Sequence, residues 1–512
     1  MSTPTASSHQ TTPGRSRPTP PSRYRNYIGG KWVESAAGKF APNLSPADQR
    51  VALGDIPMST PQEVDAAVQA AVTAFPAWRD TPAPVRARVL YKWAALIERH
   101  ADEIAAIMSL EEGKTFSEAR GEVVKATNIV EFMAGEGRRI GGHTLPSELP
   151  RTFVYTVKQP LGPVAIITPW NFPVAIPCWK IAPALVSGNT IVFKPATLTP
   201  WTAQRLVELL EEAGLPGGVV NLIYGSGGAV GDQLVHHPAI RALSFTGSNE
   251  VGTHVYTEGA KRLLKVQCEL GGKNPLVVLE DADLELAAIA TAQGAFGSTG
   301  QRCTATSRAI VIDSVADRFV ELITAQAGKV VVGDPMAEGV TMGPSVDPGQ
   351  FRTVLSYLDV ARGEGAKLVT GGKRIDGDSH AHGLFVEPTI YDGVRHSMRI
   401  AKEEIFGPVL SVIRVKDFDE ALRVANDVDF GLSSSLYTND VNRMYRFIDL
   451  IETGIVHINS PTVGGEAQAP FGGMKGTGVG TREQGAVAIE FYTELKTVYA
   501  DYTGVKRTTN IY

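Results

Sequence analysis

The sequence has few cysteines, no long apolar segment and no excess of basic charge. Three cysteines among 512 residues cannot build a disulfide framework and fit a reducing compartment, for which we expect the cytoplasm. No apolar run approaches the ~20 residues that span a membrane. The net charge of −5 offers no basic surface for nucleic acid. We therefore expect an enzyme that binds neither membrane nor nucleic acid, and no metal.

The chain is long enough for two or three packed domains. Residues 1–23 are rich in Pro, Ser and Thr and lack the apolar segment of a secretory signal. We predict a disordered tail there. A transit peptide is the alternative, because this stretch has several arginines and no acid. Ordered structure is expected from Tyr24 onward.

The first part of the chain predicts a hairpin over Asn26–Val33, a helix capped by Thr60 that runs toward Trp78, and one long helix over Pro84–Gly113. From Gly162 onward, short apolar runs alternate with helical segments. The predicted strands are Val164–Thr168, Thr190–Lys194, Val219–Ile223, Ala242–Thr246 and Lys265–Glu269, and the helices are Pro177–Ser187, Thr199–Ala213, Val230–His236 and Asn249–Gly259. This alternation predicts a parallel sheet with helices on both faces, a Rossmann-like dinucleotide domain.

A second α/β region follows. Its predicted strands are Val277–Leu279, Ser307–Ile312, Ile405–Val415 and Gly454–Asn459, and its helices are Leu284–Phe296 and Ala316–Lys329. We therefore predict an α/β fold with a dinucleotide-binding domain over residues 24–147 and 163–272 and a catalytic domain over residues 273–487.

Near the end of the chain, Ala488–Val498 alternates apolar and polar residues and reads as an edge strand. Such an edge is usually covered. We expect it to pair with another subunit, together with Thr152–Lys158. Residues 148–162 and 488–503 would form a small β-ribbon for oligomerisation, and the protein would be a homodimer or homotetramer.

Three polar residues lie where an enzyme of this fold could place its reacting groups. Cys303 follows a helix and a glycine-containing loop, so it could be an exposed nucleophile or a buried structural cysteine. Glu269 ends a strand before two glycines, so it could be a general base or a solvated turn residue. Asn171 lies on a loop between two prolines, where its amide could stabilise an oxyanion or serve only the turn.

Two glycine-containing segments could bind phosphate groups. Gly225–Gly231, with Gly227 and Gly231, follows a strand and opens a helix. Phe245-Thr246-Gly247-Ser248 also follows a strand, and a helix N-terminus there could hold a pyrophosphate. Glycine loops are frequent, so the hypothesis depends on this strand–loop–helix context.

Together these segments resemble the NAD(P)-dependent aldehyde dehydrogenases over nearly the whole chain, from Asn26 to Tyr499. The motifs that carry the resemblance occur in the family's order: Pro169-Trp170-Asn171-Phe172-Pro173, Phe193-Lys194-Pro195-Ala196, Phe245-Thr246-Gly247-Ser248, Glu269-Leu270-Gly271-Gly272-Lys273, Gly300-Gln301-Arg302-Cys303, Glu403-Glu404-Ile405-Phe406-Gly407-Pro408-Val409 and Pro470-Phe471-Gly472-Gly473.

The resemblance implies a role for each site residue. Cys303 would add to the aldehyde carbon, with Asn171 and the Cys303 backbone N–H as the oxyanion hole. The thiohemiacetal would then give a hydride to the nicotinamide, and Glu269 would activate the water that hydrolyses the thioester. Lys180 and Glu483 match a proton relay of some members. The implied cofactor residues are Thr168, Pro169, Trp170, Lys194, Ala196, Thr197, Gly227, Gly231, Phe245, Thr246, Gly247, Ser248, Leu270, Glu404 and Phe406.

Thr197 departs from the family's pattern. NAD-preferring members often carry a glutamate three residues after the lysine, where a carboxylate binds the ribose hydroxyls and repels a 2′-phosphate. Thr197 removes that repulsion, and Lys194 could attract the phosphate. We therefore expect NADP to be accepted and preferred over NAD.

The segments Gly297–Arg308, Ile458–Gly473 and Glu490–Tyr499 resemble the branch that oxidises 2,5-dioxopentanoate (α-ketoglutarate semialdehyde). Arg302 is a candidate partner for an anionic substrate, or else a structural arginine. The resemblance implies a tunnel lined by Phe172, Ile176, Trp179 and Phe471. Such a lining would also suit succinate semialdehyde or an aromatic aldehyde of the benzaldehyde or vanillin type, so these substrates stay open.

Other classes of function also stay open. A CoA-acylating dehydrogenase uses no general-base glutamate, so Glu269 argues against it. A cysteine ester hydrolase needs a histidine near the thiol. His254 and His457 are candidates, but neither lies in a recognisable dyad motif. The complete set of Asn171, Glu269 and Cys303 argues against an inactive binding protein.

Overall fold

The computed structural model describes residues 15–506. Of the predicted disordered tail, residues 1–14 lie outside the described residues. Residues 15–23 contact the rest of the protein, because Arg17 pairs with Asp334 and Arg23 forms a β-bridge with Asp55. The ordered chain therefore begins before the predicted boundary at Tyr24.

The strands, numbered in chain order, are β1 (Asn26–Ile28), β2 (Lys31–Val33), β3 (Phe40–Ser45), β4 (Asp48–Pro57), β5 (Thr144–Leu145), β6 (Thr152–Pro160), β7 (Pro163–Ile167), β8 (Thr190–Lys194), β9 (Val220–Leu222), β10 (Ala242–Thr246), β11 (Lys265–Glu269), β12 (Asn274–Val278), β13 (Thr306–Ile312), β14 (Lys367–Thr370), β15 (Thr389–Asp392), β16 (Val409–Val415), β17 (Phe430–Gly431), β18 (Ser433–Tyr437), β19 (Ile455–Ile458), β20 (Met474–Lys475), β21 (Gly478–Val479) and β22 (Thr493–Asp501).

The α-helices are α1 (Pro61–Asp80), α2 (Ala83–Arg99), α3 (Ala101–Glu111), α4 (Phe116–Glu136), α5 (Ala175–Ser187), α6 (Pro200–Glu212), α7 (Asp232–His236), α8 (Asn249–Lys261), α9 (Leu284–Phe296), α10 (Asp313–Ala327), α11 (Pro348–Gly363), α12 (Arg399–Lys402), α13 (Phe418–Asn426), α14 (Val441–Leu450) and α15 (Ala488–Phe491). A π-helical turn covers Gly227–Gly231, and a 3-10 turn covers Gly297–Gly300.

The larger sheet contains the strands predicted for the dinucleotide domain. Its order is β2-β1-β9-β8-β7-β10-β11-β21, and the five strands from β9 to β11 run parallel. Every residue of β7 and β8 is buried, as expected for strands that are covered on both faces. The predicted Rossmann-like sheet is confirmed. The loops after its parallel strands lie at one edge, where such folds bind ligands.

The second sheet has the order β14-β15-β16-β13-β12-β18-β19, and all its pairings except β14–β15 are parallel. Its strands carry buried residues on both faces. Val277 packs in one hydrophobic cluster, whereas Leu276 and Val278 pack in another. Alternation of this kind is the geometry of a central strand. The predicted second α/β unit is therefore confirmed, and Cys303 lies in its α9–β13 connection.

The predicted hairpin and helix cap are also confirmed. β1 and β2 pair through a turn in which Gly29 and Gly30 have φ angles of 62° and 85°. At the start of α1, the Thr60 hydroxyl accepts from the Glu63 backbone N–H, and the Glu63 carboxylate accepts from the Thr60 backbone N–H at 2.7 Å. Both signals are local in the sequence, which is why they were visible there.

A small third sheet has the order β22-β6-β5, and β22 pairs antiparallel with β6 over its whole length. The two predicted ribbon segments therefore pair with each other inside one chain. The predicted strand over Ala488–Val498 is wrong at its start, because Ala488–Phe491 is helical and its buried side chains pack inward. The Thr493 hydroxyl donates to the Ile489 carbonyl at 2.8 Å, where the helix gives way to the strand.

The single helix predicted over Pro84–Gly113 is two helices, α2 and α3. The break is at His100, which has φ −98° and ψ 18°. Its ring Nδ1 lies 2.8 Å from the Glu103 carboxylate and 3.0 Å from the Arg205 guanidinium. Contacts with a distant helix therefore hold a turn that apolar periodicity does not reveal.

The strand predicted over Ile405–Val415 begins only at Val409. Phe406 has a φ angle of 57°, which is outside the strand region. The Gln350 side-chain amide donates to the carbonyls of Ile405 and Phe406 at 3.0 and 2.8 Å. These bonds hold residues 405–408 as a loop before the strand.

Candidate active site

Cys303 follows α9 and a turn whose backbone is strained. Ser298 and Thr299 have φ angles of 48° and 59°, in the left-handed region that most residues avoid. Glu118 accepts from the Ser298 backbone N–H at 2.6 Å, and the Thr299 hydroxyl donates to the Gly343 carbonyl at 3.0 Å. Strained backbone that surrounding contacts maintain is often found at functional sites.

Two cavities meet at Cys303. The strand-end cavity has a volume of about 270 Å³ and is lined by Pro169, Trp170, Asn171, Ile176, Thr246, Gly247, Ser248, Leu270, Gly271, Cys303, Gln350, Thr353, Glu404, Ile405 and Phe406. The helix-side cavity has a volume of about 260 Å³ and is lined by Glu118, Gly121, Glu122, Lys125, Phe172, Trp179, Arg302, Cys303, Thr304, Val463, Gly464, Gly465 and Phe471. Cys303 is the residue that the two linings share. A group bonded to it could be reached from both sides.

The environment of Cys303 keeps its thiol protonated. Burial, and then the charges of Glu404 and Glu269, raise the pKa of Cys303 to about 12, against the opposing effect of Lys125. The thiolate is the nucleophilic form of cysteine. A reaction at this sulfur therefore needs a base that removes the proton when the reactant is in place.

Asn171 lines the strand-end cavity together with Cys303. Its side-chain amide donates to the Gln301 carbonyl at 3.2 Å. The amide has two N–H donors, so the other can serve a ligand. The Asn171 backbone carbonyl accepts from the Lys114 ammonium at 2.6 Å, which fixes the loop.

A buried ion pair supports this loop. The Lys114 ammonium lies 2.6 Å from Glu122 and 3.9 Å from Glu112. The other Glu122 oxygen accepts from the backbone N–H groups of Val174 and Ala175, where α5 begins, at 2.8 and 3.0 Å. α4 therefore positions both the Asn171 loop and the first turn of α5.

Glu269 ends β11 and is buried, but it lines neither cavity. Its Oε1 packs closely against Gly472 and Gly478. A Cβ built on Gly472 would lie only 2.4 Å from this oxygen. Its Oε2 has no hydrogen-bond partner among the described residues. Burial, and then the charge of Glu483, hold the pKa of Glu269 well above the ordinary range of a carboxyl group. A carboxylate of this kind is an effective proton acceptor.

A second buried ion pair lies behind Glu269. The Lys180 ammonium pairs with Glu483 and also donates to the Ser244 hydroxyl at 2.9 Å. Both side chains are almost fully buried. The charges of Lys180 and Glu483 act on Glu269 in opposite directions, so the predicted relay residues are next to the predicted base.

The strand-end cavity brings together eight of the predicted cofactor residues: Pro169, Trp170, Thr246, Gly247, Ser248, Leu270, Glu404 and Phe406. The buried Thr246 hydroxyl has no hydrogen-bond partner among the described residues. Gly271 leaves bare backbone in the cavity wall, because a Cβ there would lie 2.3 Å from the Glu404 carboxylate. The unpaired Thr246 hydroxyl and the bare backbone of Gly271 both suit a ligand that approaches the cavity wall closely.

The remaining predicted cofactor residues lie outside this cavity. The Thr168 backbone N–H donates to the Lys194 carbonyl at 3.2 Å, and the Thr197 hydroxyl donates to the Gly225 carbonyl at 3.1 Å. Burial lowers the pKa of Lys194 to about 8, and its ammonium donates to the Pro195 carbonyl. These residues, together with Ala196, Gly227 and Gly231, lie at or after the ends of β7, β8 and β9. Phe245 lies in β10, and its ring packs against Gly247.

The helix-side cavity brings together the predicted substrate residues Phe172, Trp179, Arg302 and Phe471. The rings of Trp179 and Phe471 are 5.3 Å apart. Ile176, predicted for the same lining, faces the strand-end cavity instead, because α5 borders both. Arg302 donates to the Ser298 hydroxyl at 3.0 Å and lies 3.3 Å from Glu118.

The sequence matches the model of the "Aldehyde dehydrogenase family" over residues 32–498. The chain belongs to the aldehyde dehydrogenase family. It is 46% identical, over 93% of its length and 98% of the relative's, to the alpha-ketoglutaric semialdehyde dehydrogenase of Bacillus subtilis. It is 47% identical, over 92% of its length and 98% of the relative's, to the 2,5-dioxopentanoate dehydrogenase of Saccharolobus solfataricus.

Its fold is also that of an aldehyde dehydrogenase. The structure of betaine aldehyde dehydrogenase from Staphylococcus aureus in complex with NAD⁺ superposes with a TM-score of 0.92 at 36% identity, covering 94% of this chain and 95% of that chain. The family resemblance and the α/β fold predicted from the sequence are therefore confirmed.

Several residues that line the two cavities were not predicted, among them the polar residues Gln350, Thr353 and Lys125. Gln350 and Thr353 line the strand-end cavity from α11, and no local pattern marks them. Lys125 lines the helix-side cavity from α4. Glu118, Glu122 and Lys125 recur at i, i+4 and i+7 on α4, so a charged stripe along one side of the helix was the available signal.

The cysteine hydrolase alternative lacks its histidine. Among residues 15–506, no histidine lines either cavity. His254 pairs with Asp232 at 2.7 Å on the surface, and His457 lies on β19. The same residues contain no cluster suited to a metal ion and no helix long and apolar enough to cross a membrane.

Proposed function

We propose that this aldehyde dehydrogenase oxidises 2,5-dioxopentanoate to the corresponding dicarboxylate, with NADP⁺ or NAD⁺ as the hydride acceptor. The observation that carries the proposal is the position of Cys303, which lies between a cavity of strand-end loops and a cavity that holds two cationic side chains. The relatives named for this semialdehyde support the choice of substrate.

The first step is addition of the Cys303 sulfur to the aldehyde carbon. Because the thiol has a raised pKa, Glu269 accepts its proton as the carbon–sulfur bond forms. Glu269 must pass this proton on, through Lys180 and Glu483, so that it is again a carboxylate when hydrolysis begins. The aldehyde oxygen becomes an oxyanion, which the free N–H of the Asn171 amide and the backbone N–H of Cys303 stabilise. The product of this step is a thiohemiacetal on Cys303.

The strand-end cavity and the ends of β7 to β9 would hold the dinucleotide. When bound, its nicotinamide ring supplies the hydride acceptor that converts the thiohemiacetal to a thioester. Glu404, anchored by the Gly272 backbone N–H at 2.9 Å, would hold the adjacent ribose. Phe406 meets Trp170 edge to face at 5.4 Å, and the two rings would border the site.

Hydrolysis of the thioester is the task of Glu269. It takes a proton from the water that attacks the acyl carbon, and the Cys303 thiolate leaves. Glu269 must turn toward Cys303 to do so. Its Oε2 makes no hydrogen bond among the described residues, and Gly472 leaves space beside its carboxylate, so this rotation breaks few contacts. Lys180 and Glu483 would carry the proton onward.

The choice between NADP and NAD rests on Thr197. In Thr197→Glu we expect the ratio of kcat/KM for NADP⁺ to that for NAD⁺ to fall about 100-fold, or about 2.7 kcal/mol, because a carboxylate repels a 2′-phosphate. Thr197→Gln is the matched control, since it adds the same bulk without charge. An equal fall in both variants, or a wild-type NAD preference above about 100-fold, would refute the cofactor proposal.

We also propose that the β22–β6–β5 sheet joins subunits into a homodimer or homotetramer. Phe153, Leu495 and Tyr499 expose 49%, 55% and 68% of their surfaces on it, which is unusual for apolar side chains grouped on one sheet. Sedimentation velocity of the full chain tests this proposed assembly.

We propose a cytoplasmic location, because a reducing cytoplasm would keep the Cys303 side chain as a free thiol.

A panel of aldehydes assayed by absorbance at 340 nm tests the proposed reaction. We expect 2,5-dioxopentanoate to give a higher kcat/KM than succinate semialdehyde or benzaldehyde. Preference for benzaldehyde would overturn the substrate. Release of nitrophenol from an ester without reduction of any cofactor by any aldehyde would overturn the reaction itself.

A further inference from the structure

We propose that Lys125 is the residue that selects the substrate, by binding the carboxylate at the far end of an anionic semialdehyde whose aldehyde carbon is at Cys303. This inference rests on the proposed function and adds the residue that recognises the negative charge of the substrate. Lys125 extends from α4 into the helix-side cavity, whose wall also contains Cys303.

The Lys125 ammonium has no acidic partner. It makes no hydrogen bond or ion pair with the residues from 15 to 506, and it lies over the rings of Trp179 and Phe471 at 5.3 and 5.8 Å. Aromatic faces attract a cation but use none of its N–H donors. All three donors of the ammonium group are therefore free for a carboxylate.

The acidic groups of the same cavity are already neutralised by others. Glu122 pairs with Lys114 and accepts two backbone N–H groups at the start of α5. Glu118 pairs with Arg302 and accepts from the Ser298 backbone N–H. Of the charged groups in this wall, Lys125 alone among the described residues makes no ion pair, and the charge of Glu122 acts on it only from a distance.

An unpaired ammonium in a cavity wall is unfavourable, and burial lowers the pKa of Lys125 accordingly. A bound carboxylate would supply the missing counter-charge. The helix-side cavity, with its volume of about 260 Å³, has Lys125 and Cys303 in one wall and the backbone of Gly464 and Gly465 in the facing loop. The carboxylate of an anionic substrate thus has both a partner and room.

Arg302, the cation suggested by the sequence, is less suited to this role. Its guanidinium donates to Ser298 and pairs with Glu118, both next to the strained turn that carries Cys303. Binding a substrate carboxylate would compete with these contacts. Arg302 is therefore a positioning residue for the turn, and Lys125 is the substrate contact.

The test compares Lys125→Met, which keeps the length and removes the charge, with Lys125→Arg, which keeps the charge. For each variant, kcat/KM is measured with 2,5-dioxopentanoate, succinate semialdehyde and the neutral aldehyde pentanal. In Lys125→Met we expect the ratio of kcat/KM for an anionic substrate to that for pentanal to fall about 100-fold, mainly through KM. Lys125→Arg should restore at least a tenth of the wild-type ratio.

The outcomes separate the two proposals. An unchanged ratio in Lys125→Met, or an equal loss with anionic and neutral aldehydes, would overturn the role of Lys125. Another outcome is that the wild-type enzyme prefers succinate semialdehyde to 2,5-dioxopentanoate, while Lys125→Met loses the preference for succinate semialdehyde over pentanal. In that case the role of Lys125 stands and the proposed substrate is wrong. If the wild-type enzyme prefers pentanal to both anions, both proposals are wrong.

Discussion

Replacing Cys303 with alanine is expected to reduce kcat for aldehyde oxidation by at least about 10⁴-fold, or about 5.4 kcal/mol at 1.36 kcal/mol per tenfold. Without the sulfur, no thiohemiacetal forms, so there is no good hydride donor between the two cavities. Rapid mixing with 2,5-dioxopentanoate and NADP⁺, followed at 340 nm, measures the first turnover. Neither a burst nor a steady state of reduced cofactor should appear.

Cys178→Ala is the matched control. Cys178 is fully buried in α5 and lines neither cavity. Its thiol is out of reach of a ligand in either cavity, and among the described residues it has no carboxylate base like the one proposed for Cys303, so it is a structural cysteine. We expect kcat to stay within about threefold of wild type, a modest loss for removal of one buried sulfur. Wild-type activity in Cys303→Ala, or equal losses in both variants, would refute the nucleophile.

In Glu269→Gln we expect a burst of reduced cofactor and then a steady-state rate that is lower by roughly 10²–10⁴-fold, the contribution of a general base. Glutamine fits the same site beside Gly472 but cannot take a proton from water. The thioester on Cys303 therefore accumulates. The burst amplitude should approach one reduced cofactor per active site.

The rate of that burst reports on the thiol. The pKa of Cys303 is raised to about 12, so if Glu269 also accepts the thiol proton, the burst in Glu269→Gln is slower than in the wild type. A normal burst rate would leave only the hydrolytic role for Glu269. Full steady-state activity in Glu269→Gln would contradict its assignment as the required base.

Features that depend on nearby residues could be predicted from the sequence. The strands β7 and β8 were visible because burial on both faces requires an uninterrupted apolar run in each. The capping box was visible because Thr60 and Glu63 are three positions apart and bond to each other. The break at His100 was not, because its partner Arg205 lies in α6, 105 positions later. Phe406 likewise leaves the strand geometry because Gln350, on α11, binds its carbonyl.

The candidate site divides in the same way. The local patterns around Cys303, Glu269 and Asn171 left structural alternatives open, and the family resemblance removed them only because their motifs occur together. Lys125 was missed because its significance depends on Trp179 and Phe471, which tertiary packing of distant segments brings beneath it. Arg302 was favoured instead because it precedes Cys303 in the sequence, but in the structure its guanidinium forms an ion pair with Glu118.

The central claim is that Cys303 carries the acyl group during aldehyde oxidation. Its most direct test is mass spectrometry of Glu269→Gln after mixing with 2,5-dioxopentanoate and NADP⁺ and rapid acid quenching. We predict that the proteolytic peptide containing Cys303 gains the mass of the aldehyde less two hydrogen atoms, as a thioester requires. An unmodified Cys303 peptide in a sample that has produced reduced cofactor would contradict the claim.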